Sequence, residues 1–268
     1  HLEGYRGSRP VRVGNGAHDQ VQIDVYGEVV RSFAHCAGAG IPAASGAEHF
    51  LRGLGDTVCA SWDEPDHGIW ESRGPRGRHT LSMALCAVAL EDLLGMHDQG
   101  VIRVPVERYR EVSQRIRREI ETNGYNSDIG SYTATPDGEQ VDASLLTLPL
   151  YGYIDAADPR MQSTLRRIRE QLARGNLYYR SEVASDGSQE EGTFAVCAFW
   201  AIELVALAGE FDHARKAFED VLSYANDVGL FAEEIDPDSG DALGNMPQAF
   251  THIGLINAAV ALVEQSPE

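Results

Sequence analysis

The feature that most limits how this chain can fold is an alternation between two kinds of helical segment. One kind carries a single apolar stripe on a charged background: Val106, Tyr109, Val112, Ile116 and Ile120; Met161, Leu165, Ile168 and Leu172; Phe211, Ala214, Phe218, Val221 and Ala225. Spacings of three and four residues put each set on one helix face, so these segments cover a surface. The other kind is apolar nearly all round: "TLSMALCAVALEDLL" from Thr80, "DASLLTLPLYGY" from Asp142, "TFAVCAFWAIELVALA" from Thr193 and "MPQAFTHIGLINAAVALV" from Met246. Such segments offer water no polar face and should be buried on most sides. In chain order the expected elements are inner (about 17–37), outer (47–60), inner (79–95), outer (105–122), inner (142–153), outer (159–173), inner (193–208), outer (211–226) and inner (245–263). Asp158-Pro159 and Asn245-Met246-Pro247 read as helix starts, a capping side chain followed by a proline in the first turn.

Connector length turns the alternation into an architecture. Inner-to-outer links are mostly short, whereas every outer-to-inner link is long: residues 61–78, 123–141, 174–192 and 227–244. Loops above about 12–15 residues are uncommon in compact domains and are often functional. With helices alternating in direction, the four long loops and the opening "GYRGSRPVRVGNG" emerge at one end. The fold class expected is all-α, an α/α toroid with a cleft at that end; a solenoid would show a repeated motif, and none is visible.

The 268 residues suffice for one large domain, and 22 basic against 41 acidic residues give a formal charge of -19. That field repels phosphate backbones and anionic membranes, so nucleic acid and membrane partners are not expected. The longest apolar run, Thr193 to Ala208, is too short to span a bilayer. Four scattered cysteines with no metal-ligand spacing favour a reducing, cytoplasmic setting without a metal or cofactor.

The loop end is rich in groups that handle sugars: Trp62, Trp70, Tyr125, Tyr132, Tyr178 and Tyr179 for stacking, with Arg73, Arg180, Asn15 and Asn245 for hydroxyl contacts. Two loops place a glutamate beside bulky apolar residues, Ile69-Trp70-Glu71 and Leu230-Phe231-Ala232-Glu233-Glu234. Apolar neighbours disfavour the charged form of a carboxyl, as suits a general acid, while a solvated carboxyl can stay ionised as a base. The stretches "GYRGSRPVRVGN" (4–15), "QIDVYGEV" (22–29), "EPDHGIWESRG" (64–74), "DASLLTLPLYGY" (142–153), "EEGTFAVCAFW" (190–200), "NDVGLFAEEIDP" (226–237) and "GNMPQAFTHIGLINAA" (244–259) together resemble glycoside hydrolase family 15, the glucoamylases and bacterial trehalases.

The resemblance implies an (α/α)6 barrel and an inverting hydrolase acting from the end of a small α-glucoside, trehalose or a short α-gluco-oligosaccharide. It makes Glu71 the general acid and Glu233 the general base, with the carboxyl groups roughly 6.5–9.5 Å apart to admit a water. Trp70 and Arg73 would shape sugar subsites, Arg180 would touch the non-reducing glucose, and Arg9 and Asn15 are further candidates of that kind. Glu234 would tune or orient Glu233, and Glu191 reads as a helix N-terminal charge. The sequence departs from the family in two places. Met83 and Ala87 stand where the family carries a lysine and a tryptophan, and the region supplying a "WxRD" loop is not in this sequence. About nine of twelve barrel helices are expected, with an N-terminally shortened barrel and a seam of apolar helix faces open to water. A missing N-terminal region or self-association would close that seam, and a non-catalytic carbohydrate-binding or interaction module is the alternative function.

Overall fold

The computed structural model describes every residue except 5, 6, 8, 12, 73, 183–190 and 265–268. Eight α-helices occur among the described residues: α1 (Asp24–Gly38), α2 (Ala47–Ser61), α3 (Thr80–Asp98), α4 (Val106–Glu119), α5 (Pro159–Leu172), α6 (Ala195–Leu207), α7 (Phe211–Leu222) and α8 (Ala249–Glu264). The expected alternation holds. The inner course runs α1, α3, the short 3-10 segment Ala143–Thr147, α6 and α8, each packed against the next, and α2, α4, α5 and α7 lie outside it. This is the arrangement of an (α/α)6 toroid.

Burial follows the two sequence patterns. In α3 an unbroken run from Thr80 to Leu90 is buried, and α6 is buried on nearly every side, whereas α4 buries only Tyr109, Val112, Ser113 and Ile116. By length and apolar character α3 would suffice to cross a membrane, yet 72% of that stretch is buried inside the protein, as a core helix is. α1 lies close against α3: a Cβ on Gly27 would stand 2.6 Å from the Leu85 carbonyl oxygen, so only glycine permits the approach.

Four expectations need correction. Residues 142–153 do not form an α-helix; after Ala143–Thr147 the chain makes turns, because Pro149 has no N–H for a helical ladder and Gly152 takes φ +76°. The first inner helix begins at Asp24 rather than near residue 17, and Gln20 to Ile23 instead run alongside the 61–78 loop. Asp158 caps α5 as expected, its side chain accepting from Arg160 N, but Asn245 caps nothing: α8 starts at Ala249. α8 is also buried on one face only. Phe250, Ile253, Ile256, Val260 and Val263 are exposed, the last at 77%, an apolar stripe on a segment whose pattern predicts burial on most sides.

The long loops carry what little strand there is. β1 (Tyr125–Asn126) pairs with β2 (Ser131–Tyr132), and β3 (Ala173–Arg174) with β4 (Leu177–Tyr178). β5 (Thr193–Phe194), β6 (Glu234–Ile235) and β7 (Ala242–Leu243) form an antiparallel sheet with β6 in the centre. That sheet ties the start of α6 to the 227–244 loop.

Candidate active site

The 61–78 loop is closed at its base by a bridge between Asp66 and Gly77, with reciprocal N–H to carbonyl bonds of 2.8 and 2.9 Å. Gly68 then turns the chain at φ +63°, where a Cβ would press 3.0 Å from the His79 ring. Trp70 is fixed at its polar end by a 3.1 Å bond from Nε1 to Asp142 Oδ2. Its rings lie 5.8 Å from Phe194 and 5.9 Å from Trp200, which continues to Phe250. Asp142 is buried and is itself held by Ser144, so the tryptophan is part of a wall; burial raises the Asp142 carboxyl above the usual range against the pull of Ser144 and Trp70. Glu71 follows with φ +50°, a left-handed conformation that costs a side-chain-bearing residue about 1–2 kcal/mol. The residue is exposed, so Ile69 and Trp70 do not cover it as the sequence suggested.

Glu233 is held very differently. Its N–H donates to Asn245 O at 2.9 Å and its carbonyl accepts from Ala195 N at 3.0 Å, which locks its backbone between the segment that follows β7 and the start of α6. Carboxylate Oε2 accepts from both Asn245 N at 3.0 Å and Asn245 Nδ2 at 2.9 Å. Below it the loop is anchored by Phe231, which is buried against Phe199, and by Thr251 Oγ1 on the Ala232 carbonyl. Gly244, at φ +70°, allows the carboxylate in: a Cβ there would lie 2.7 Å from Glu233 Oε2.

These two loops meet. Glu71 and Glu233 line one cavity of about 660 Å³, together with Asn15, Gln20, Trp70, Arg180, Glu191, Glu234, Asn245 and Phe250. The volume is in the range of small-molecule sites. Arg180 is no surface arginine: its side chain is 16% exposed, pairs with both oxygens of Glu191 and lies over the Phe194 ring at 5.1 Å. Glu191 precedes β5, and α6 starts only at Ala195, so the helix-terminal role expected for Glu191 gives way to this ion pair. Glu234 accepts from Gly192 N at 2.9 Å. Its carboxyl is raised above the usual range, first by burial and then by the charges of Glu191 and Glu233, against the pull of the Gly192 N–H and Arg180.

Other candidates are placed elsewhere. Arg9 is exposed, pairs with Glu3 and does not line the cavity. Asn15 does line it, its Oδ1 accepting from Ala17 N at 3.0 Å. Arg73 lies outside the described residues. Trp62, Tyr132 and Tyr178 are buried in the core rather than offered to a ligand. Sequence reasoning misses Gln20, Glu191 and Phe250 as members of the cavity.

A toroid of alternating helices whose loop end forms a carboxyl-lined, aromatic-walled cavity is the class of protein that the fold and site define. The model of the family "Glycosyl hydrolases family 15" matches residues 1–260, and the chain belongs to that family. It is 36% identical to a trehalase of Thermoplasma volcanium over 98% of this chain and 42% of that protein, and 37% identical to a trehalase of Mycobacterium tuberculosis over 100% and 40%. The chain thus spans less than half the length of these curated relatives. A bacterial glucoamylase solved with acarbose superposes with a TM-score of 0.77 at 16% identity, over 92% of this chain and 41% of the other, which shows the shared fold.

Proposed function

We propose that this protein hydrolyses a small α-glucoside, trehalose foremost, with inversion at the anomeric carbon. Glu71 gives its proton to the glycosidic oxygen, and Glu233 takes one from the water that attacks the opposite face. The observation that carries the reading is the meeting of Glu71 and Glu233, from loops far apart in the chain, in one sugar-sized cavity. The geometry suits the two roles. Oε2 of Glu233 is occupied by Asn245, which leaves Oε1 to accept from a water, while among the described residues nothing donates to the Glu71 carboxylate. Trp70 and Phe250 supply apolar walls for sugar faces, and Arg180, Glu191 and Glu234 supply charged partners for hydroxyls. The relatives named trehalase support trehalose over longer glucans.

Glucose release from trehalose, maltose and isomaltose tests this. Glu71→Gln and Glu233→Gln should each lower kcat by about 10²–10⁴-fold, and NMR of the early products from trehalose should show β-glucose from the inverted glycone and α-glucose from the leaving sugar in equal amounts. Full activity in either variant, or α-glucose alone as the early product from trehalose, overturns the assignment. A second reading, a non-catalytic carbohydrate-binding or interaction module, is supported by the exposed apolar stripe on α8. Sugar binding without turnover by the intact protein would favour it.

A further inference from the structure

The peptide carbonyls of the Glu71 loop are held by side chains that come from outside the loop. Gln20 Nε2 donates to Glu71 O at 3.2 Å and to Ser72 O at 3.0 Å. Gln22 Nε2 donates to Gly68 O at 2.9 Å, and Arg180 Nη1 reaches Trp70 O at 3.4 Å. The backbone between the two glutamines completes the bracket: His67 N donates to Val21 O at 2.9 Å, and Val21 N to His67 Nδ1 at 3.1 Å. Surface loops usually leave such carbonyls to water. Here Gly68, Trp70, Glu71 and Ser72 each receive a side-chain donor, at the turn where Glu71 departs from the ordinary backbone regions at φ +50°.

Gln20 is the informative member. Its amide nitrogen spans two successive carbonyls, while its Oε1 is buried with no partner among the described residues. A glutamine placed for packing or general polarity would be expected to use both ends, since a buried acceptor without a donor costs free energy. Only the donor end is engaged, and it is engaged on the residue proposed to hold the catalytic proton and on the next one. Without that bond the Glu71 peptide can relax toward the right-handed region, which redirects its side chain.

We propose that Gln20, supported by Gln22, is a positioning residue for the general acid: it holds the left-handed turn that aims the Glu71 carboxyl into the cavity. This rests on the reading of Glu71 as the proton donor. The experiment compares two substrates in the protein as the cell makes it: trehalose, whose leaving sugar needs a proton, and α-glucosyl fluoride, whose leaving group does not need a carboxylic acid. Gln20→Ala and the isosteric Gln20→Glu should each lower kcat on trehalose by about 10–100-fold, with KM within about twofold and the fluoride rate within about threefold of wild type. The ratio of the two rates does not depend on how much of a variant is folded. Added to Glu71→Gln, Gln20→Ala should cost nothing more, as expected of two residues acting as one unit. An unchanged ratio in both Gln20 variants, or an equal loss on both substrates, overturns the positioning role while leaving Glu71 in place. A Glu71→Gln variant whose own ratio equals that of wild type overturns the underlying assignment instead.

Discussion

The two glutamates that face the cavity are held by opposite means. Glu233 is held by its own loop: one residue, Asn245, supplies two donors to one carboxylate oxygen, and the central strand of a three-stranded sheet begins immediately after it. Glu71 is held through its backbone by side chains from distant segments, with its carboxyl exposed. The difference matches what each group would do. A base must present a fixed lone pair to a water that has no other handle, so pinning the carboxylate itself is useful. An acid must follow the glycosidic oxygen as the bond breaks, so a fixed backbone beneath an unencumbered carboxyl suits it better.

If the pinning of Glu233 matters, crowding its loop should do the most damage. Gly244→Ala places a Cβ only 2.7 Å from Glu233 Oε2, and on a backbone at φ +70° that alanine tolerates poorly. We expect a fall in kcat of about 100-fold on trehalose, the cost of misplacing a catalytic group by an ångström, with circular dichroism showing the helices intact. Retained activity would mean that the carboxylate need not stay where Asn245 holds it. Asn245→Ala is the milder version, since the backbone N–H of residue 245 remains to donate. About a tenfold loss in kcat, with KM little changed, is expected for one charge-assisted bond of the two. No loss would place Glu233 on the same footing as Glu71, and the contrast between the loops would disappear.

Much of this was legible in the sequence, and what was not has identifiable causes. Helices such as α3 and α4 are legible because the period of apolar residues reports burial directly. The stretch after Asp142 is ambiguous in sequence because an apolar run is equally consistent with a helix and with buried turns, and Pro149 and Gly152 decide the matter. Asn245 before a proline has the chemistry of a cap and also of a carboxylate donor; only the return of its loop beside Glu233 selects the second. Glu191 is similar, because the partner of a charge, here Arg180 from the preceding β4 hairpin, is fixed by folding rather than by position. Motifs single out Glu71 and Glu233 as candidates by residue type, yet the clamp on the Glu71 loop is made by amides bonding to backbone carbonyls, which any sequence carries.

The smallest expected effect concerns Glu234, whose carboxyl stands within reach of the charges of both Glu191 and the proposed base Glu233. In the folded protein this carboxyl lies above its ordinary value of 4.5, chiefly through burial and further through Glu191 and Glu233. The folded state therefore holds the Glu234 proton more tightly than the unfolded chain does. Stability from this group is complete below the unfolded value and is lost as pH rises through the folded one. Glu234→Gln is neutral throughout and can still accept from Gly192 N, so it should melt with wild type near pH 4 and about 1–2 °C higher near pH 8, a modest gain because the open cavity screens the charges. A lower melting temperature at pH 8 would show that attraction to Arg180 and the Gly192 N–H outweighs burial, making the charged form of Glu234 part of what holds the loop beside Glu233 in place.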